Sequence, residues 1–235
     1  PLSPEKDMIF CPENGSVFSD ISVESYIKLW CRLKHGDANY YRKAGSHYCE
    51  LLSISPLLGK LGRELSKGQR RRVQTAIGFL TNPRLFLFDE PFEGLDVEKS
   101  HSLTEIINSH RQKMAFIISS HRMDVIERLA NAVVVLHEGK IISTGNVSDV
   151  CADIAGQSIT LNYPAENESL INKIKEHFPN CLVVRIGKEL TLTGKNLEPQ
   201  NIMSFLNGSS DIYSLAKVTR PNLIDAMNYH LRTFR

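Results

Sequence analysis

Nowhere does this chain string together the roughly 18–20 apolar residues that a membrane-crossing helix needs, and no signal-peptide pattern opens it. The five cysteines (Cys11, Cys31, Cys49, Cys151 and Cys181) are odd in number, scattered and without a C-x-x-C pair. That argues against a disulfide framework or a zinc site and fits a reducing compartment. Neither sign of charge is in marked excess. A formal net charge of +2 over 235 residues gives no compositional case for a nucleic-acid partner. The local basic run Lys67-Gly68-Gln69-Arg70-Arg71-Arg72 reads as a solvated helix face rather than a nucleic-acid patch. Finally, no G-x-x-x-x-G-K-[ST] occurs. The Gly-Lys pairs at 59–60, 139–140, 187–188 and 194–195 lack both the following Ser/Thr and the upstream glycine. The chain therefore has no loop of that type to cradle β- and γ-phosphates and no lysine placed to meet them.

What is present is a pair of polar motifs about twenty residues apart. Leu65-Ser66-Lys67-Gly68-Gln69 places a hydroxyl and a glycine where a helix begins. Free backbone N–H groups and the positive end of the helix dipole meet anions at such a start. Arg84-Leu85-Phe86-Leu87-Phe88-Asp89-Glu90-Pro91 is an apolar strand ending in adjacent carboxylates. One of these can serve a metal and the other a water molecule. A phosphate site, a metal site and a base together describe nucleoside-triphosphate hydrolysis.

In order and spacing these motifs resemble the ATP-binding cassette (ABC) family, and the resemblance covers roughly residues 8–150. It implies an α/β fold: a partial P-loop NTPase cassette, with a mostly parallel sheet and a helical subdomain. It implies ATP and Mg²⁺ as cofactors. Asp89 resembles the family's metal-holding Walker B aspartate, and Glu90 the adjacent catalytic glutamate that orients and deprotonates the attacking water. His121, ending the apolar run Ile117-Ile118-Ser119-Ser120, resembles the switch histidine that contacts the γ-phosphate. Ser66, Lys67, Gly68 and Gln69 match the signature motif, which faces a nucleotide held by a second subunit. Phe92-Glu93-Gly94-Leu95-Asp96 resembles the D-loop, with Asp96 at a dimer interface. Phe10-Cys11-Pro12-Glu13-Asn14 resembles the Q-loop region, with Glu13 where the family usually has glutamine. Because the phosphate-cradling loop precedes the Q-loop in this family and residue 1 is Pro1, the expectation is an N-terminally truncated cassette.

Periodicity gives a coarse map. Val23 to Leu33 is helical, with Ser22 as N-cap and Val23, Tyr26, Ile27, Trp30 and Leu33 on one stripe. Further helices are expected at about 42–52, from Ser66 to Leu80, and at about 97–112 and 122–130. Strands are expected at 8–11, 84–88, 115–119 and 132–136, the last returning as a hairpin through Glu138-Gly139. Beyond residue 150 the motifs stop, and the order β-α-β-β-α-β describes a small ferredoxin-like unit. The expected division is a truncated nucleotide-binding domain over 1–150 and an α+β accessory domain over 151–235. That second part reads first as a packing extension and second as a regulatory or dimer-stabilising module. Its closing Arg220-Pro221-Asn222-Leu223-Ile224-Asp225-Ala226 resembles the terminal helix of drug- and polysaccharide-type exporter ATPases.

Two functions follow. In the first, the chain is the ATPase subunit of an exporter, paired head-to-tail with a like subunit as a homodimer or heterodimer. It would dock on a transmembrane permease subunit at the cytoplasmic face of the membrane, with no nucleic acid involved. In the second, it is a non-catalytic truncated cassette that only binds a partner.

Overall fold

The computed structural model describes residues 3, 7–15, 17–163, 168–207 and 214–233. They divide into two compact units, residues 1–122 and 123–235.

In the first unit three strands run parallel in the order β1 (Met8–Cys11), β2 (Leu85–Asp89), β3 (Ala115–Ser119). Between β1 and β2 lies the helical part: α1 (Val23–His35), α2 (Tyr40–Ala44), α3 (Ser46–Leu51), two short 3₁₀ turns, and α4 (Lys67–Leu80). Helix α5 (Val97–His110) joins β2 to β3. The alternation along β2 buries Phe86 and Phe88, and Phe79 of α4 packs on both, its ring centroid 5.1 and 6.3 Å from theirs. The opposite row, Phe10–Leu87–Ile117 across the three strands, is open: Phe10 is 55% and Ile117 60% exposed.

Helix α1 departs from its expected stripe. Val23, Tyr26 and Ile27 are buried as expected, but Cys31 completes the inner face and Leu33 is 68% exposed. An i, i+4, i+8 row at 3.6 residues per turn passes through Val23, Ile27 and Cys31 and leaves Leu33 well to the side. The single helix expected at 42–52 is two helices broken at Gly45. There a Cβ would lie 1.9 Å from Leu80 Cδ2, so any larger residue would have to displace the buried Leu80 side chain.

The second unit begins with α6 (Met123–Leu129) and the hairpin β4 (Val133–His137), β5 (Lys140–Gly145). Glu138 and Gly139 both have positive φ, 48° and 74°, the signature of a two-residue hairpin turn whose twist matches its strands. Helix α7 (Val147–Ala155) follows, then β6 (Gln157–Asn162), α8 (Glu168–His177), β7 (Leu182–Ile186), β8 (Glu189–Gly194), α9 (Pro199–Leu206), β9 (Ser214–Thr219) and α10 (Leu223–Thr233). The sheet order is β7-β8-β6-β9, every neighbour antiparallel. One core joins Ile159, Leu161, Leu190 and Leu192 to Leu170 and Ile174 of α8 and Ile202 of α9. A second joins Val135, Val150, Ile154, Leu182, Ala226 and Tyr229. The packing division at 122 thus differs from the expected division at 150, which falls inside α7 between buried Val150 and Cys151.

Candidate functional site

In the parallel sheet of the first unit the chemistry-bearing residues gather at the carboxyl ends of the strands, where open α/β sheets bind ligands. Asp89 ends β2 and accepts a hydrogen bond at Oδ1 from Ser119 Oγ at 2.6 Å, from the paired end of β3. That contact fixes the carboxylate. Glu90 follows with φ +48°, a left-handed conformation unusual for a residue with a side chain. Its amide still donates to the Ser119 carbonyl at 3.0 Å, a last rung between the ends of β2 and β3 before the chain turns away. The Glu90 Oε2 atom then lies 3.2 Å from Ser120 Oγ, which donates to it, and 3.0 Å from His121 Nδ1. The Glu90 side chain is largely covered, whereas His121 is 64% exposed. With Nδ1 turned to Glu90, the other ring nitrogen is left for another partner.

A second cluster forms around α4. Ser66 and Gln69 make a reciprocal capping box: Gln69 N–H donates to Ser66 Oγ at 3.2 Å, and Ser66 N–H donates to Gln69 Oε1 at 3.0 Å. Both side chains thus already have the roles of a helix cap. A Cβ on Gly68 would lie 3.5 Å from the Gly94 carbonyl, so this turn approaches the loop after β2. Lys67 Nζ pairs with Glu13 Oε1 at 2.8 Å and with Glu93 Oε2 at 3.7 Å. The hydrogen bond from Lys67, then its charge, holds the Glu13 carboxyl below the ordinary carboxylate range, and Glu13 raises Lys67 in turn. Asp96 caps α5, accepting from Lys99 N–H at 2.9 Å and pairing with the Lys99 ammonium. These contacts, the side-chain one first, lower its pKa.

Sequence reasoning singled out Asp89, Glu90 and His121, and the fold brings them together. It overlooked their supports Ser119 and Ser120, although both stand within the motif ending at His121. It misjudged Arg71. Read as part of a solvated basic face, Arg71 is 4% exposed and its guanidinium donates to the carbonyls of Glu13 and Glu93. The charge run gave no hint, because burial of one arginine among three depends on loops far along the chain.

As for a metal, no group of three or more His, Cys, Asp or Glu side chains able to hold an ion occurs among the described residues. Magnesium in nucleotide sites takes one or two carboxylates and completes its shell with phosphates and water. Asp89, with one oxygen held by Ser119, suits that demand.

No protein-family profile matches the chain. An uncharacterized ABC transporter ATP-binding protein of Methanocaldococcus jannaschii is 30% identical over 174 residues, covering 71% of this chain and 66% of that protein. The chain belongs to the ATP-binding cassette family. Another cassette protein, the molybdenum import ATP-binding protein ModC of Escherichia coli, is 32% identical over 191 residues, 79% of this chain and 52% of ModC. A solved structure of an ATP-binding subunit of an ABC transporter superposes with a TM-score of 0.57 at 25% identity, covering 62% of this chain and 61% of that one. The cassette chain thus spans between about half and two thirds of the length of these relatives. Among its described residues no helix is long and apolar enough to cross a membrane.

Proposed function

We propose that this chain is part of the ATP-hydrolysing subunit of an ABC transporter, working in a head-to-tail dimer against a membrane permease at the cytoplasmic face of the membrane. The observation that carries the reading is the Asp89–Glu90–His121 cluster at the carboxyl ends of β2 and β3. The names of the relatives support it. Asp89 would hold Mg²⁺, which when bound with ATP neutralises phosphate charge. Glu90, held by Ser120 and His121, orients the attacking water and takes its proton. His121 offers its remaining nitrogen to the γ-phosphate. Ser66, Lys67, Gly68 and Gln69 face the nucleotide of the opposite subunit, Asp96 lies along the dimer interface, and Glu13 lies beside the nucleotide. The permease docks along residues 14–20, of which Ser16 lies outside the described residues. The residues of the nucleotide chemistry lie within 1–150, and residues 151–235 carry a ferredoxin-like accessory part that shares its packing unit with residues 123–150.

We assign the direction as export, on the likeness of Arg220–Ala226 to exporter ATPases. The import function in the name of ModC favours the opposite direction. Vesicles carrying the transporter decide by accumulating or losing substrate on addition of ATP. A second reading, a non-catalytic partner-binding cassette, draws on the missing G-x-x-x-x-G-K-[ST] motif in residues 1–235. For the same reason residues 1–235 alone should release no phosphate from Mg-ATP.

In the transporter that contains this chain, Glu90→Gln should slow hydrolysis by about 10²-fold or more while nucleotide-bound dimers accumulate. Asp89→Asn should weaken nucleotide binding as well. Phosphate release and sedimentation at saturating ATP measure both. Retention of more than half the hydrolysis by Glu90→Gln would sink the assignment.

A further inference from the structure

Two basic residues one turn apart on α4 reach both loops that leave the carboxyl ends of β1 and β2. Lys67 and Arg71 are spaced i, i+4 and so project from one face of the helix. The Arg71 Nε and Nη2 atoms donate to the Glu13 carbonyl at 3.1 and 2.5 Å, and Nη1 donates to the Glu93 carbonyl. Lys67 repeats the pattern with side chains, lying 2.8 Å from Glu13 Oε1 and 3.7 Å from Glu93 Oε2. The Glu13 loop lies close against α4: a Cβ on Gly15 would be 3.0 Å from the Arg71 amide nitrogen. Glu93 is tied back to the site, its N–H donating to the Glu90 carbonyl at 3.2 Å.

A buried guanidinium is costly to desolvate and is tolerated where its donors are matched. Here the matches are main-chain carbonyls of two separate loops, with the Glu93 carboxylate 3.7 Å from Nη2. A planar fork holds two such acceptors at fixed angles, whereas the donors of an ammonium rotate and fix no angle between them.

We propose that Lys67 and Arg71 are positioning residues, a two-point clamp that makes the Glu13 loop and the Glu90–Glu93 turn move as one body with α4. The helix start then sets the orientation of Glu90, and displacement of either loop is passed to the other. The consequence for hydrolysis rests on the role proposed for Glu90; the clamp itself is read without nucleotide.

Amide hydrogen exchange followed by NMR on residues 1–235 tests it. The reporters are Gly15, Glu93 and Leu95, whose N–H groups close the two loops onto Pro12, Glu90 and Phe92. Arg71→Met keeps the packing and removes the donors. It should speed exchange at all three by about tenfold or more while amides of β2 and β3 stay within about twofold. Arg71→Lys should recover less than half of the effect on a logarithmic scale, because it lacks the fork. Lys67→Met, at a half-exposed position, should loosen both loops by a smaller factor and stands in if Arg71→Met does not fold. Response of one loop alone, full rescue by Arg71→Lys, or no response to Lys67→Met overturns the clamp. If Glu90→Gln leaves hydrolysis intact while these amides respond as expected, the role given to Glu90 fails and the clamp stands.

Discussion

Glu24 is the most heavily partnered carboxylate of the helical part. Its Oε1 accepts from Tyr41 Oη at 2.6 Å and Arg42 Nη2 at 2.7 Å and lies 3.1 Å from Lys28 Nζ. The Tyr41 hydrogen bond first, then those from Lys28 and Arg42, pull its pKa from 4.5 to about 2. A carboxyl depressed in the folded state contributes stability above its unfolded pKa and loses it as pH falls through the folded one. Glu24→Gln should therefore be less stable than the parent at pH 7, and the gap should narrow between about 4.5 and about 2. Urea midpoints across that range measure it; a gap constant with pH would show that the contacts are not charge-dependent. Two glycines three residues apart make a second comparison at this scale. A Cβ on Gly62 would lie 2.1 Å from the Phe18 carbonyl, whereas one on Gly59 meets nothing within 4 Å. Gly62→Ala should cost about 2 kcal/mol or more by forcing the backbone of the 17–22 loop aside, and Gly59→Ala less than about 0.5 kcal/mol, both read from chemical denaturation.

At the scale of elements, α4 joins the two kinds of information the chain carries. Its start was legible, because a Ser-x-x-Gln box declares a helix N-terminus from four residues. Its interior was not. Val73, Ala76, Ile77 and Leu80 mark an apolar face, but only the fold shows that Gly78 is what lets the helix lie on β2. A Cβ there would sit 2.2 Å from Phe86 Cζ. Replacing glycine by alanine in a helix interior normally helps by up to about 1 kcal/mol through propensity. Here overpacking should reverse the sign, and Gly78→Ala should destabilise by about 1–3 kcal/mol. A raised denaturation midpoint would mean that α4 can slide off Phe86. The same distinction explains the other elements. Strands β2 and β3 were legible because apolar runs of strand length bounded by polar residues have few other readings. The break at Gly45, the burial of Cys31 in place of Leu33 and the burial of Arg71 each depend on a neighbour distant in sequence. Of the site, Asp89, Glu90 and His121 were legible as motif residues. Their support by Ser119 and Ser120 required the pairing of β2 with β3.

For the whole molecule, the packing of the second unit decides where it can be cut. Its second core takes Val135 from β4, Val150, Cys151, Ile154 and Ala155 from α7, Leu182 from β7, and Leu223, Ala226 and Tyr229 from α10, with Met123 and Ile126 of α6 packed against it. Removing residues 123–150 deletes Val135 and Val150 and half of α7, and uncovers Ala226 and Tyr229. The core on the α8 and α9 side stays whole, since it draws on nothing before Ile159. A sheet covered on one face only keeps its strands but loses the close packing that fixes a unique state. Residues 123–235 should therefore unfold in one cooperative transition and give dispersed NMR spectra. Residues 151–235 should bind ANS and lose cooperativity while keeping most of their far-UV signal. The fragments can be compared directly by calorimetry and near-UV dichroism. Equal melting temperatures for the two would mean that α6, the β4–β5 hairpin and the front of α7 contribute nothing to this unit, and that the boundary lies at 150 after all.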